Sequence, residues 1–334
     1  MDTNSSLCST NRMMTSARHW PFHLVMIIIY SAIIAFTVVV LSLVVAAKAV
    51  RGTIRIILAN ILVASISTCF GISLISLRLI FISINFNFFS NTDVSYNIVL
   101  AITAIGGNGR SAFMAVFTVV VVIIMKGSNS AVKFKYLIIS VVVVWTACMA
   151  VGAILLVPGV VDHSPFSCSA NLPLQPGNEI WIFSGLYFLL FVIIPCTLAT
   201  VMPVYALCYI RSNLTCENSS SLKPMLKFAL FLLLGNVLGF FGNFLATAGS
   251  LIFKSANTGG EAAWVFGQVY NVLLALSLIP SPILILVYFK PVHMKLRKCM
   301  LRVCGKWCRR RLVPSKQDPM TELMLALPAV DNDL

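Results

Sequence analysis

Arg110 is the residue of this sequence whose position most demands a chemical explanation. It lies inside a long apolar run, in the segment Gly106-Gly107-Asn108-Gly109-Arg110, whose three glycines are expected to let helices approach closely. A charge at the depth of a bilayer costs about 2.5–3.5 kcal/mol on insertion scales, so the guanidinium must face protein and have partners there. The long apolar runs contain no Asp or Glu, so these partners must be neutral. Two roles are open for Arg110: a structural lock between helices, and direct contact with a ligand or an ion.

The other reactive side chains form no catalytic or metal-binding pattern. No Ser-His-Asp arrangement and no pair of carboxylates lies in or near the apolar runs, so we expect no catalytic residue. The ten cysteines match no zinc pattern. The histidines are scattered without metal-ligand spacing: His19, His23, His163 and His293. We therefore expect a protein that is not an enzyme and that has no metal or cofactor.

The composition determines the medium in which these residues lie. Hydrophobic residues make up 59% of the 334 positions and charged residues 10%, whereas soluble domains carry about 25% charged residues. The net charge of +14 could suggest nucleic acid, but the basic residues lie between and after the apolar runs. The sequence therefore predicts a membrane protein whose surroundings are the lipid bilayer, with no nucleic-acid partner.

Seven apolar windows are long enough to cross a bilayer, for which a helix needs about 20 residues. Several are rich in Val and Ile, but a chain in lipid must satisfy its own backbone hydrogen bonds, so helices are expected rather than strands. The sequence thus predicts an all-α bundle of seven transmembrane helices over residues 22–289. The windows are Phe22–Ala46, Ile54–Leu77, Ile98–Met125, Leu137–Val160, Trp181–Ile210, Leu226–Phe253 and Ala262–Phe289.

The distribution of Lys and Arg predicts the orientation of the bundle. The joints after the first, third and fifth windows carry three basic residues each, and the tail from Lys290 carries ten, nineteen in all, against four on the opposite side. Because cytoplasmic segments are enriched in Lys and Arg, we expect the N-terminus outside and the C-terminus inside. The glycosylation sequon at Asn4 agrees with this. Those at Asn213 and Asn218 do not, and the charge asymmetry outweighs them.

The segments outside the windows carry candidate modification sites. Residues 1–21 are predicted to form an extracellular tail. Its Cys8, and Cys168 of the joint after the fourth window, are the cysteines expected on the oxidising side, so they are candidates for a disulfide. Residues 290–311 mix basic and apolar side chains like an amphipathic helix on the inner leaflet. There, Cys299, Cys304 and Cys308 are palmitoylation candidates, the alternative being free thiols. Residues 312–334 are predicted to be a disordered cytoplasmic tail.

The plan of seven helices followed by a membrane-surface helix resembles that of rhodopsin-like (class A) G-protein-coupled receptors. Trp145, followed by Pro158, looks like the family's fourth-helix tryptophan and proline, and Pro195 is similar to its fifth-helix proline. The run Met114-Ala115-Val116 resembles the residues that precede the family's Asp-Arg-Tyr, especially in olfactory receptors. The resemblance extends over about residues 22–308.

Several motifs of that family are replaced in this chain. Phe117-Thr118-Val119 stand where Asp-Arg-Tyr is expected, and Ser65 stands at the position of the second-helix aspartate. Of the family's Asn-Pro-x-x-Tyr, only Tyr288 remains, with two prolines displaced upstream. Coupling to a G protein, which these motifs support in the family, is therefore an open question.

The resemblance also implies which residues meet. It places Arg110 beside Asn60 and Trp145, where hydrogen bonding to the amide and stacking on the indole would lock helices two, three and four together. It further implies a ligand cavity among the outer ends of helices three, five, six and seven. The candidate lining residues, each of which could instead serve helix packing, are Leu100, Ala104, Tyr187, Asn243, Thr247, Gln268 and Asn271.

The resemblance implies a multi-pass receptor of the plasma membrane with a chemosensory role. A small extracellular ligand would shift the bundle between two packings, and a heterotrimeric G protein or another cytoplasmic transducer would sense the shift. Two alternatives remain open. A transporter or channel is suggested only by Arg110, and an accessory membrane protein that has lost coupling is suggested by the replaced motifs.

Overall fold

The computed structural model describes residues 3–48, 50, 52–83, 93–125, 134–156, 162–163, 170–171 and 260–304, with isolated positions between 189 and 238. Four long helices come first: α1 (Thr3–Ala46), α2 (Gly52–Ser83), α3 (Asp93–Met125) and α4 (Phe134–Leu155). A two-residue antiparallel pair follows, β1 (Asp162–His163) with β2 (Ala170–Asn171). Three further helices are α5 (Gly260–Leu278), α6 (Pro280–Tyr288) and α7 (Lys290–Cys304).

Five helical segments within these ranges are long and apolar enough to cross a membrane. They correspond to the first four predicted windows and the seventh, so the prediction of membrane-compatible helices is confirmed for these five. The fifth and sixth windows lie mostly outside the described residues. The five segments are Trp20–Ala46, Gly52–Phe81, Asn97–Ile123, Lys135–Ile154 and Gln268–Tyr288.

Two boundaries differ from the sequence-based expectation. The first helix begins at Thr3 and runs through most of the predicted extracellular tail, because no Pro or Gly interrupts the chain before Pro21. The seventh window, predicted as one helix, is divided into α5 and α6 at Ile279. Pro280 causes this break, since it has no N–H and its ring clashes with the carbonyl of residue 276.

Hydroxyl side chains inside the spans are satisfied largely by their own helices. A Ser or Thr hydroxyl can donate to the carbonyl four residues earlier, which removes the cost of placing it in an apolar medium. Thr118, which stands where the family's Asp-Arg-Tyr arginine is expected, does this towards Met114 O at 2.8 Å. The same bond is made by Thr37, Ser42, Ser65, Thr68, Ser73, Thr103 and Ser140.

Glycines bring neighbouring helices into close contact, as predicted for the glycine-rich segment of α3. A Cβ atom on Gly106 would lie 2.5 Å from Thr68 N and 2.8 Å from Ala64 O of α2, so no side chain fits there. A Cβ on Gly109 would lie 3.4 Å from the ring of Trp145. The prediction is wrong for Gly107, where a Cβ would meet no atom within 4 Å.

Two apolar clusters show how the helices run. The small cluster joins the first half of the apolar span of α1, including Met26 and Tyr30, to the later part of α2 and to the end of α5. The large cluster joins the last turns of α1 to the start of α2, the second half of α3 and Leu137 near the start of α4, together with Phe289, which follows α6, and Val292 of α7. Successive helices α1 to α4 are therefore antiparallel, and α5–α6 runs in the same direction as α1.

The spans differ in how much of their surface other helices cover. In α3, 67% of the most apolar window is buried, against 22% in α4 and 28% in α1. Large apolar side chains such as Ile28, Val143 and Met149 are exposed on the two poorly covered helices. Lipid covers such surfaces in a membrane, so α3 occupies the centre of the described bundle and α1 and α4 its margin.

Candidate functional site

Arg110 lies in the most buried helix and is itself only 4% exposed. Its Nη1 donates to Ser277 Oγ at 3.3 Å, and its Nη2 donates to the main-chain carbonyl of Ser277 and to Ser281 Oγ at 3.4 Å. The Nε atom is buried and has no hydrogen-bond partner among the residues that the structure describes. The guanidinium therefore joins α3 to both sides of the break between α5 and α6 through neutral acceptors, and the five candidate spans supply no carboxylate.

The helix break explains how the last span can receive a guanidinium. Pro280 follows the end of α5 and begins α6, so the regular ladder of backbone bonds is interrupted beside Ser277. The Ser277 hydroxyl donates its own proton to Leu274 O at 2.7 Å, which leaves its oxygen lone pairs available to Arg110. One residue thus offers the guanidinium two acceptors, a hydroxyl and a carbonyl, and Ser281 offers a third.

Gly235, within the sixth predicted window, lies close to the place where Arg110 meets Ser277. It is buried, and a Cβ at this position would lie 3.2 Å from Ser277 O and 3.6 Å from Arg110 Nη2. Such contacts are tighter than a side chain normally tolerates at the carbonyl. The absence of a side chain at Gly235 therefore allows close approach to the place where Arg110 meets Ser277. We call Arg110, Ser277, Ser281 and Gly235 the arginine junction.

The predicted lock of Arg110 with Asn60 and Trp145 is wrong in its pairing. Trp145 Nε1 donates to Asn60 Oδ1 at 2.7 Å, and Asn60 Nδ2 donates to Ile56 O at 2.8 Å. The indole N–H and the amide of Asn60 therefore have their hydrogen-bond partners in each other and in the backbone of α2. The Trp145 ring packs against Phe113, with centroids 5.4 Å apart. Arg110 points instead towards the last span. We call Asn60 and Trp145 the tryptophan junction.

Of the candidate ligand residues, those that the structure describes lie on α3 and α5. Leu100 and Ala104 of α3 are half-buried, as are Gln268 and Asn271 of α5. Asn271 Nδ2 donates to Gln268 Oε1 at 3.4 Å, so these two amides meet on one face of α5. Among the described residues, no hydrogen bond joins the α3 pair to the α5 pair, and Tyr187, Asn243 and Thr247 lie outside the described residues.

A second link reaches the same part of α5 from α1. Tyr30 is fully buried, and its hydroxyl donates to the main-chain carbonyl of Asn271 at 2.7 Å. The backbone beside the two candidate amides is therefore held to α1, while their side chains are left to bind each other or a ligand. The pattern of residues does not reveal this link, because Tyr30 sits unremarkably in an apolar window 241 positions from Asn271.

The candidate modification sites are described only in part. Cys299 lies on α7, exposed and with a free thiol, and Cys304 is the last residue of that helix. The prediction of an amphipathic basic helix over residues 290–311 corresponds to α7, which turns Val292 into the large cluster and leaves Lys295 and Lys298 exposed. The side chains of Asn4 and Cys8, and the whole of Cys168 and Cys308, lie outside the described residues.

The sequence signal for the arginine junction was present but incomplete. Arg110 stands out as a lone charge, whereas Ser277 and Ser281 differ little from the other hydroxyl residues of the spans. Their position on either side of Pro280 is the feature that could have identified them, since a proline break exposes backbone acceptors. Among the described residues, no group of His, Cys, Asp or Glu side chains could hold a metal ion.

Comparison with known proteins adds no assignment to this geometry. No family model matches the chain, and no curated protein matches it either.

Proposed function

We propose that this protein is a seven-transmembrane receptor of the G-protein-coupled type, with a chemosensory role in the plasma membrane. It binds a small, weakly polar extracellular ligand and passes a helix rearrangement to a cytoplasmic transducer. The observation that carries the proposal is the arginine junction, which ties the central helix α3 to a broken last span through weakly matched neutral acceptors.

The course of the described helices supports seven crossings. Helix α4 ends at the same end of the bundle at which α5 begins, because α4 is antiparallel to α3 and α5 packs on the early part of α1. A chain that leaves and re-enters at one end crosses the membrane an even number of times in between. The two remaining windows, Trp181–Ile210 and Leu226–Phe253, supply two crossings and bring the total to seven.

The positions of the candidate ligand residues support control of the arginine junction by a ligand. Ala104 precedes Arg110 by six residues in α3, and Asn271 precedes Ser277 by six residues in α5. At 1.5 Å per residue, both lie about 9 Å further towards the predicted outer end. A ligand held between these two helices would change their separation and hence the geometry of the guanidinium. A ligand that binds one packing of the helices better than the other would shift the population towards the packing that it prefers.

The inner end of α3 requires a different means of contact with the transducer from that of typical receptors in the family. Thr118 is buried, and its hydroxyl is bonded within its own helix, so it offers no charge to a cytoplasmic partner. Exposed cations near that end include Lys135 at the start of α4, Lys227, and Lys295 and Lys298 of α7. We propose that these residues, rather than a third-helix arginine, contact the transducer.

The proposal is tested by expressing the chain in cells with reporters for a panel of G proteins and for arrestin, and by screening odorant-sized compounds. A compound that evokes coupling supports the receptor. Arg110→Gln should then remove at least nine-tenths of the evoked signal, because α3 loses its charged link to the last span. Trp145→Phe serves as the matched control and should leave the signal within twofold of the wild type.

Two outcomes would contradict the proposal. Ion current or substrate flux without any coupling would favour a transporter or channel, in which Arg110 contacts the permeating species directly. Absence of coupling and of transport, in protein that reaches the cell surface, would favour an accessory protein that has lost signalling. Surface labelling of each variant is measured in parallel, so that failed export is not scored as failed function.

A further inference from the structure

A basic groove lies between the end of α1 and the start of α2, away from the arginine junction. Its volume is about 400 Å³. Two cations, Lys48 and Arg55, share the lining with three apolar residues, Val45, Ile56 and Ala59. Lys48 is exposed and Arg55 is half-buried. The groove therefore combines two cations with an apolar lining at the end of two membrane-compatible helices.

The two cations of the groove have no anionic partner within the described chain. Neither the Lys48 ammonium nor the Arg55 guanidinium makes a hydrogen bond or an ion pair with a described residue. The described parts of α1 and α2 contain no Asp or Glu that could approach them. A half-buried guanidinium without a counter-charge is costly, so an anion from outside the chain would stabilise this arrangement.

The surroundings of the groove add to its positive potential. Leu137, Phe228, Phe289 and Val292 belong to the same apolar cluster as Val44 and Ala47 of α1, so their neighbours in sequence lie at this end of the bundle. Those neighbours include Lys135, Lys227, Lys290, Lys295, Arg297 and Lys298. The summed field of such cations attracts an anion.

We infer that this groove is a binding site for an anionic phospholipid, with the phosphate group held between Lys48 and Arg55. Val45, Ile56 and Ala59 contact the glycerol region and the first methylene groups of the acyl chains. The apolar lining residues favour a lipid over a soluble phosphate, because a free anion has no acyl chain that could contact them. The groove is too small for a folded segment of an acidic protein. The inference needs a membrane but does not depend on receptor activity, so its failure and that of the proposed function are distinguishable.

The inference is tested by native mass spectrometry of the full chain in detergent, titrated with phosphatidylserine. The dissociation constant of the first bound lipid is measured for Lys48→Gln and Arg55→Gln, and for the control variants Lys135→Gln and Lys298→Gln. The controls remove the same charge from the same end of the bundle but outside the groove. We expect the dissociation constant to rise about fivefold for each groove variant, which is the contribution of one cation near a lipid surface. For each control it should rise less than twofold.

Three results would overturn the inference. Equal weakening by all four substitutions would mean that the lipid is held by a diffuse field. Equal displacement of the lipid by glycerophosphoserine or inorganic phosphate, which have no acyl chains, would assign the groove to a soluble anion. If the first phosphatidylserine binds no more tightly than phosphatidylcholine, the groove is not a site for anionic lipid. Lys48→Arg retains the charge and should bind within twofold of the wild type, which separates loss of charge from misfolding.

Discussion

The arginine junction and the tryptophan junction are both polar contacts between helices, but they differ in how completely their groups are satisfied. At the tryptophan junction one indole N–H meets one amide oxygen at 2.7 Å, and the amide nitrogen is bonded within α2. At the arginine junction a charged group donates to two hydroxyls at 3.3 and 3.4 Å and to the Ser277 carbonyl, and its Nε has no hydrogen-bond partner among the described residues. One contact is neutral and complete, whereas the other is charged and incomplete.

This difference indicates which part of the bundle can move. A satisfied neutral pair between continuous helices has a single favourable geometry. An arginine that divides its bonds among three acceptors on both sides of a helix break can exchange acceptors at lower cost, because the break already interrupts the backbone ladder. We therefore expect α2, α3 and α4 to move as one unit, and the last span to shift relative to that unit.

Replacing Arg110 by Leu should have the largest effect on stability. The substitution removes the charge from the folded and the membrane-inserted unfolded states alike, so the main loss is that of the charge-assisted hydrogen bonds. We expect the free energy of unfolding in bicelles to fall by about 2–3 kcal/mol. Arg110→Lys keeps the charge but not the planar guanidinium, and its free energy of unfolding should fall by less. An increase in stability for the Leu variant would show that the junction does not hold the bundle together.

A methyl group on Gly235 should have the next largest effect. Gly235→Ala would place a Cβ 3.2 Å from the Ser277 carbonyl, a main-chain atom that cannot move away easily, and we expect a loss of about 1–2 kcal/mol. Gly107→Ala is the matched control, because its Cβ would meet no atom within 4 Å. It should stabilise the protein by up to about 1 kcal/mol through helix propensity. The same sign for both variants would contradict the close approach at Gly235.

Disrupting the tryptophan junction should have the smallest effect. Trp145→Phe keeps an aromatic ring against Phe113 and removes only the N–H that donates to Asn60. We expect a loss of about 1 kcal/mol in the free energy of unfolding. If Trp145→Phe lost more free energy of unfolding than Arg110→Leu, the tryptophan junction would contribute more to stability than the arginine junction, contrary to our expectation.

The sequence was sufficient to predict the five membrane-compatible helical segments that the structure describes, but not all of their boundaries and contacts. The apolar windows predict the course of α1 to α4, because in lipid length and hydrophobicity alone decide whether a helix forms. A lone Arg110 in such a window had to be buried and paired with neutral groups, which the structure confirms. The identity of its partner depends on the rotation of α3 about its axis, which one charged residue cannot determine.

The partner of Arg110 was mistaken for a second reason. The resemblance to a receptor family suggested Asn60 and Trp145, yet these two residues already satisfy each other. Ser277 lies 167 positions away from Arg110 and three residues before the helix break at Pro280. Hydrophobic periodicity does not report a hydroxyl and a carbonyl that meet a distant residue at such a break.

A double-mutant cycle tests the central claim most directly, namely that Arg110 is held by the last span and not by the tryptophan junction. The free energy of unfolding is measured for Arg110→Gln, Ser277→Ala and the double variant, and in parallel for Arg110→Gln with Asn60→Leu. We expect a coupling of about 1 kcal/mol between Arg110 and Ser277, and additivity within about 0.5 kcal/mol for Arg110 and Asn60. Additivity in the first cycle together with coupling in the second would contradict it.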